Sequence, residues 1–124
     1  MPKSVKTDLA PAAIGAYSQA IVSGGLVFVS GQLPFPPGGD RLPETIEGEV
    51  RQSLTNIKNI LEEAGSSMDK VVRVGIFLTD MADFPKANEI YASFFKEPYP
   101  ARATVQVAAL PKNARVEIDA IAEL

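Results

Sequence analysis

The chain has 124 residues, a formal net charge of −3, and neither Cys nor His. The missing residue types exclude disulfides, thiolate nucleophiles, Ser-His-Asp catalysis and His-ligated metals, so any chemistry must use Arg, Lys, Glu, Asp, Tyr and backbone groups. The 12 Lys and Arg are scattered along the chain, unlike the clustered cations of a nucleic-acid or anionic-membrane binder. We expect a single domain over residues 1–124.

The compartment is predicted from the absence of targeting features. Met1 to Ser4 precede no apolar signal-peptide core, and no apolar run approaches membrane-spanning length. We therefore expect a cytoplasmic protein.

The first third of the chain predicts an extended lead-in followed by a hairpin. Residues 1–16 are polar and interrupted by Pro and Gly, whereas Tyr17–Val22 and Leu26–Gln32 flank a Gly-Gly turn and are typical of strands. Gly31, near the end of the second strand, indicates a bulge or a close approach by a ligand or another backbone.

The middle of the chain predicts two helices separated by a buried strand. Apolar residues recur at helical spacing from Ile46 to Ala64, and Gly65 follows as a C-terminal cap. The segment Val71–Thr79 has apolar side chains on both faces, as in a sheet interior. Asp83 is the expected cap of the second helix, whose apolar stripe comprises Phe84, Ala87, Tyr91, Phe94 and Phe95. This order predicts an α+β domain with two helices packed on one face of a mixed sheet.

The last quarter of the chain predicts two further strands with alternating side chains. In the first strand Arg102, Thr104 and Gln106 share one face, and in the second strand Arg115, Glu117 and Asp119 alternate with an apolar stripe. The apolar stripe consists of Val116, Ile118, Ala120 and Ala122. We expect the sheet to bury its apolar face and to present all of these polar residues on the opposite face.

Other polar motifs have ordinary structural explanations. Gly24-Gly25 and Gly38-Gly39 lack the Lys-Ser/Thr pattern of a phosphate-binding loop and are predicted to be turns. The acidic pairs Asp80/Asp83 and Glu62/Glu63 are typical of helix caps and solvated faces, so no metal site is assigned.

A wider pattern distinguishes Arg102 from an ordinary solvated strand arginine. The chain carries Pro100-Ala-Arg-Ala-Thr-Val105, Ala109-Leu110 and Val116-Glu-Ile118, together with Ala13-Ile-Gly-Ala-Tyr-Ser-Gln-Ala20, Ser30-Gly-Gln32 and Asn88. Along essentially its entire length it resembles the reactive-intermediate deaminase family, RidA or YjgF.

The resemblance implies a fold, an assembly and an activity. The implied fold is a chorismate-mutase-like mixed sheet with two helices on one face. The implied assembly is a homotrimer with three pockets between subunits, which hydrolyse enamines or imines of 2-keto acids, such as 2-iminobutanoate and 2-iminopropanoate, without a cofactor.

The resemblance also implies roles for individual residues. By position, Arg102 is similar to the family's carboxylate-binding arginine and Glu117 to its water-positioning acid. The pocket lining implied in this way comprises Tyr17, Ser30, Gly31, Asn88 and Thr104. Two positions depart from the family pattern and bear on pocket shape: Ala16 stands where Pro is frequent, and Thr104 where Cys is frequent.

The residue types suit this chemistry. A guanidinium can hold a carboxylate through two charge-assisted hydrogen bonds, which fixes the neighbouring imine carbon. A carboxylate can then orient or deprotonate the attacking water.

The spacing of Arg102 and Glu117 constrains how they can meet. In a simple hairpin about residues 111–114, Glu117 would lie opposite Ala108, roughly 20 Å from Arg102 at strand rise. Either the two strands are not neighbours, or different chains contribute the two residues.

Two other functions compete with the deaminase hypothesis. A trimeric protein that binds small 2-keto acids or related carboxylates without turnover would use the same arginine. Ribonuclease or translation-inhibitor activity, attached to some relatives, ranks third because of the acidic balance and the absence of His.

Overall fold

The computed structural model describes residues 1–124 as one mixed sheet with two helices. The strands are β1 (Lys3–Val5), β2 (Ala20–Ser23), β3 (Leu26–Gln32), β4 (Val71–Leu78), β5 (Ala101–Gln106) and β6 (Val116–Glu123), and the helices are α1 (Ile46–Glu63) and α2 (Phe84–Phe94). The six strands are ordered β1-β2-β3-β6-β4-β5. Only β4 and β5 pair in parallel. The predicted α+β class is confirmed.

The two faces of the sheet differ in what covers them. Val116, Ile118, Ala120 and Ala122 of β6 are buried in one core with α1 and α2, and we call this face the helix side. The intervening residues Glu117, Asp119 and Ile121 are only partly buried and lie on the opposite face, the open side. Phe28 and Phe77 pair with Ile121 and Glu117 and belong to the open side too.

Helix α1 begins and ends where its sequence signals predict. The Thr45 hydroxyl accepts a hydrogen bond from the Gly48 N–H at 3.0 Å, which satisfies one of the free donors of the first turn. Gly65, at a φ of 88°, follows the last turn in the left-handed conformation that glycine adopts without strain. The predicted apolar stripe is buried against β3 and β6.

The start of α2 differs from its prediction. The Asp83 side chain makes no capping hydrogen bond. Instead Asp80 accepts from the Ala82 N–H at 2.9 Å and caps a 3-10 turn, Met81–Asp83, that leads into the helix. The preceding turn has taken the capping position because α2 continues directly from it.

The lead-in is more ordered than predicted, because it contributes an edge strand and is pinned to the sheet. Lys3–Val5 pairs with β2 as β1. The buried Gln19 side chain accepts from the Thr7 N–H at 2.7 Å and donates to the Pro11 carbonyl at 2.8 Å. Strand pairing and a long-range side chain together therefore fix a segment whose local sequence predicts no strand.

A buried ion pair ties the start of β6 to α1. Glu49 is fully buried, accepts from the Arg115 backbone N–H at 2.8 Å and pairs with the Arg115 guanidinium. The same guanidinium donates to the carbonyls of Pro43 and Glu44 at 3.3 and 3.1 Å. Arg115 therefore does not extend the exposed row of Glu117 and Asp119, because its buried partner draws it toward α1.

Neither helix combines the length and the hydrophobicity needed to cross a membrane.

Candidate active site

Arg102 lies on the helix side of β5, beside α2. It pairs with the buried Val74 of β4, and its Nη1 donates to the Asn88 Oδ1 at 2.6 Å. Its guanidinium carbon lies 4.7 Å from the ring centroid of Tyr91 and 5.4 Å from that of Phe84. A strand and a helix together therefore hold this side chain, although it is exposed to solvent.

Thr104 lies two residues farther along the same face. It pairs with the buried Ile76, and its hydroxyl is buried without a hydrogen-bond partner. The Val107 N–H donates to the Leu78 carbonyl at 2.8 Å, so the N–H groups of alternate preceding residues point toward β4. By this alternation the N–H groups of Arg102 and Thr104 point away from β4, along the free edge of the sheet. Arg102, Asn88 and Thr104 form what we call the arginine cluster.

The prediction that Arg102, Thr104 and Gln106 share a polar face with Glu117 and Asp119 is wrong. Strand β4 lies between β5 and β6, and Arg102 is in register with a core residue of β4. The reason is that β5 is an edge strand beside α2, so Arg102 on its polar face meets polar and aromatic groups of that helix. The small residues Ala101, Ala103 and Val105 lie on the open side instead, and all three are exposed.

Glu117 lies on the open side, against the backbone of β3. The register between β3 and β6 shifts between Val29 and Gln32, and a Cβ at Gly31 would overlap the Glu117 carboxylate oxygen Oε2. The bulge and the missing side chain therefore make the space that Glu117 occupies. Burial raises the pKa of Glu117 above its ordinary value, and the charge of Asp119 raises this pKa further.

Asp119 repeats this arrangement against β4. A Cβ at Gly75, its partner in the ladder, would overlap the Asp119 Oδ1. Burial raises the pKa of Asp119, while the Gly75 backbone hydrogen bond and the Arg73 charge offset part of the increase. Two carboxyl groups with raised pKa values thus lie over two glycines on the open side.

Ser30 and Tyr17 both lie near Gly31, the residue whose backbone Glu117 contacts. The Ser30 hydroxyl donates to the Ser18 carbonyl at 2.6 Å, and its N–H donates to the Gln19 carbonyl at 2.9 Å. Tyr17, 53% exposed, lines a cavity of about 560 Å³ together with Gly31, Phe35 and Lys112. Tyr17, Ser30, Gly31 and Glu117 form what we call the glutamate cluster.

The two clusters do not meet within one chain. Arg102 and Glu117 pair with Val74 and Phe77 of β4, so their Cα atoms are about 14 Å apart, given about 3.3 Å per residue and 4.8 Å per strand. Their side chains also leave opposite faces of the sheet. Strands β5 and β6 are thus not neighbours, which is one of the two arrangements that the sequence allowed.

Sequence reasoning missed the aromatic partners of Arg102. The sequence predicts that Phe84 and Tyr91 belong to the apolar stripe of the second helix, and Tyr91 is indeed buried. The signal that could have found them is the spacing of Phe84, Asn88 and Tyr91, which places a polar residue between two aromatic residues on one helix face.

Comparisons with known proteins agree with this architecture. Residues 7–124 match the family model described as Endoribonuclease L-PSP. The chain is 46% identical over 121 residues to a bovine protein named 2-iminobutanoate/2-iminopropanoate deaminase, covering 97% of this chain and 88% of the relative.

Solved structures show the same fold. RidA from the Antarctic bacterium Psychrobacter sp. is 48% identical and superimposes with a TM-score of 0.94, covering 98% of this chain and 99% of that one. Escherichia coli TdcF, crystallised with bound serine, is 40% identical with a TM-score of 0.93, covering 98% of each chain.

The mixed sheet and the two helices thus define an α+β fold that these relatives share. The chain belongs to the reactive-intermediate deaminase family, whose family model carries the description Endoribonuclease L-PSP.

Proposed function

We propose that this protein hydrolyses reactive imine and enamine intermediates, among them 2-iminobutanoate and 2-iminopropanoate, to 2-keto acids and ammonia. The observation that carries this proposal is the arrangement around Arg102, whose guanidinium is held by Asn88 and Tyr91 on the same edge strand along which the Thr104 N–H is free. A planar cation next to an unpaired N–H suits the carboxylate of a 2-imino acid. The name of the bovine relative, a 2-iminobutanoate/2-iminopropanoate deaminase, supports the same substrate class.

Glu117 supplies the second half of the chemistry. A water oxygen attacks the carbon of the protonated imine, the carboxylate accepts a proton from that water, and the electron pair of the C=N bond moves to nitrogen. In the resulting carbinolamine, Glu117 returns its proton to nitrogen, the C–N bond breaks to release ammonia, and the C=O bond forms as the hydroxyl proton is lost to solvent. The raised pKa of Glu117 suits a group that takes up a proton and returns it in this sequence. An enamine must first take a proton at carbon to become the imine.

Each active site is formed between two chains of a homotrimer. The opposite faces and the separation of Arg102 and Glu117 support this assignment, because one substrate of a few atoms cannot reach both residues of one chain. The arginine cluster of one protomer faces the glutamate cluster of its partner. In this site Arg102 anchors the carboxylate with the Thr104 N–H, and Asn88 borders the anchor. Tyr17, Ser30 and Gly31 line the opposite wall.

A mixing experiment tests both the reaction and the shared site. Arg102→Ala and Glu117→Gln are each expected to lose most acceleration of ammonia release from freshly generated 2-iminopropanoate. Losing a charge-assisted hydrogen bond costs about 1.5–3 kcal/mol, so Arg102→Ala should lose about 10- to 150-fold. Arg51→Ala, on the solvent-exposed surface of α1, is the matched control and should keep full activity.

Co-expression of the two impaired variants gives the decisive measurement. If each site combines residues from two chains of a ring, about one quarter of the sites in randomly mixed trimers contain both native residues, and activity should recover to that level. No recovery would contradict the shared site.

Measurements on the wild-type protein alone distinguish the competing function, carboxylate binding without turnover, from deamination. The arginine cluster by itself is sufficient for binding, and the serine bound to TdcF also carries a carboxylate. Binding of 2-ketobutyrate without faster ammonia release would replace the deaminase with a binding protein.

A further inference from the structure

Helix α2 contacts Arg102 through more than a single hydrogen bond. Phe84, Asn88 and Tyr91 follow one another at intervals of four and three residues, which places them on one face of the helix. Asn88 accepts from the guanidinium at 2.6 Å, and the two rings lie 4.7 and 5.4 Å from its carbon. Three side chains of one helix therefore contact one guanidinium, one through a hydrogen bond and two through their aromatic rings.

The base of this arrangement is fixed by the core. Tyr91 is only 4% exposed, and its ring lies 4.7 Å from that of Phe95. Ala87, one turn earlier, is buried in the same core. Tyr91 thus cannot change rotamer without disturbing packed neighbours, so it is a rigid support for a side chain that would otherwise sample many rotamers.

Orientation matters for this side chain because a guanidinium binds a carboxylate in its own plane. The guanidinium has five N–H donors, and Asn88 accepts a hydrogen bond from one of them. The aromatic rings of Phe84 and Tyr91 restrict rotation of the guanidinium plane. The remaining donors are then held in one direction before any ligand arrives, which reduces the ordering that binding requires.

We propose that Phe84, Asn88 and Tyr91 form a cradle that fixes the plane of the Arg102 guanidinium. They are positioning residues, and Asn88 acts through Arg102 instead of merely lining the pocket. The value of the cradle for carboxylate capture rests on the proposed function, whereas the ordering of Arg102 does not.

Side-chain relaxation of the Arg102 15Nε–H group measures the ordering directly, with the signal assigned from its loss in Arg102→Lys. The group should be rigid on the nanosecond timescale in the wild type. It should become mobile in Phe84→Leu and in Asn88→Ala. Tyr91→Phe keeps the ring and should leave Arg102 ordered. Ser93→Ala, on the exposed part of the same helix, is the matched control.

Kinetics with 2-iminopropanoate test what the ordering does. Phe84→Leu and Asn88→Ala should raise KM about 2- to 30-fold, the range of a cation–π contact or a comparable hydrogen bond, with kcat changed less than about twofold. In an Arg102→Lys background the same substitutions should change KM little, because an ammonium group has no plane to orient.

The results of these experiments distinguish a failure of the cradle proposal from a failure of the proposed function. A mobile Arg102 in the wild type, or equal effects of Phe84→Leu in the two backgrounds, would overturn the cradle. A loss of order in Tyr91→Phe would overturn the role of the ring in favour of the hydroxyl. If Arg102 loses order in the variants while KM stays constant, the cradle stands and the carboxylate-anchoring role of Arg102 is the part that fails.

Discussion

At the scale of single residues, Glu117 distinguishes catalysis from binding. Glu117→Gln keeps the size of the side chain but removes its charge, so Arg102 should still bind 2-ketobutyrate while turnover falls. General-base assistance contributes about 10²- to 10⁴-fold, and the loss should appear in kcat with little change in keto-acid affinity.

Calorimetry with 2-ketobutyrate and single-turnover kinetics provide the two readouts. A parallel loss of affinity and turnover would mean that Glu117 only holds the pocket together. Full activity would leave Arg102 and backbone groups as the whole catalyst.

The raised pKa values of Glu117 and Asp119 predict how activity depends on pH. The base form of Glu117 is charged, so turnover should fall as the pH drops through its raised pKa. The acid limb of the profile should therefore lie above about pH 4.3, the ordinary value for Glu. Asp119→Asn removes the neighbouring charge and should move this limb to lower pH. An unmoved limb would show that another group controls it.

The same two carboxyl groups predict the opposite trend for stability. Because their folded pKa values are raised, the folded state binds more protons than the unfolded state between the ordinary and the raised pKa. Their contribution should therefore make the free energy of unfolding decrease as pH rises through this window, starting at about pH 4. Comparing urea unfolding of the wild type with the Glu117→Gln/Asp119→Asn double variant from pH 4 to 7 isolates the effect. Identical pH dependence in the two proteins would contradict it.

At the scale of elements, the Glu49–Arg115 pair should stabilise the junction of α1, the preceding loop and β6. Arg115→Ala leaves a fully buried carboxylate without its cation, and breaking such a pair typically destabilises by about 3–5 kcal/mol. Lys58→Ala breaks the exposed Lys58–Glu62 pair and should change stability by less than about 1 kcal/mol.

Chemical unfolding of both variants gives the comparison. If the two variants lose a similarly small amount of stability, the hydrogen bond from the Arg115 backbone N–H is enough to stabilise the buried Glu49 carboxylate.

Local sequence determined the elements well, because their signals lie within one or two turns. The stripe from Ile46, the cap at Gly65 and the alternation in β6 each predict their element directly. The side on which β5 presents Arg102 could not be predicted in this way. It depends on β4 lying between β5 and β6 and on contact with α2, and both are long-range features of the fold.

The candidate site shows the same division. The role of Gly31 followed from its lack of a side chain, and the structure places Glu117 in that space. β1 was missed because Gln19, 12 residues from Thr7, pins a segment with weak strand propensity. The contacts of Asp119 and Arg102 could not be predicted from local sequence, because they depend on the register of β4 and on the packing of α2.

At the scale of the whole molecule, the open side should be the surface of assembly. Phe28 and Val105 are 42% and 45% exposed there, beside the partly buried Phe77 and Ile121. A charge at its centre would have to be desolvated on assembly, so Phe28→Glu should shift the mass measured by light scattering from trimer toward monomer. Lys58→Glu, on the solvent face of α1, should leave the mass unchanged. A wild-type monomer at micromolar concentration would contradict the shared active site.

The two edges of the sheet differ in what they present to another chain. β1 is only three residues long and begins with Lys3, features that discourage strand addition. β5 has six residues, is rich in Ala, and leaves alternate backbone groups unpaired along the edge that also presents Arg102. The backbone groups that we propose bind a substrate carboxylate are therefore also free to pair with a strand of another chain when the protein is monomeric. Chains that are not yet assembled should accordingly aggregate through the edge of β5. A small carboxylate ligand bound to the backbone of β5 should slow this aggregation.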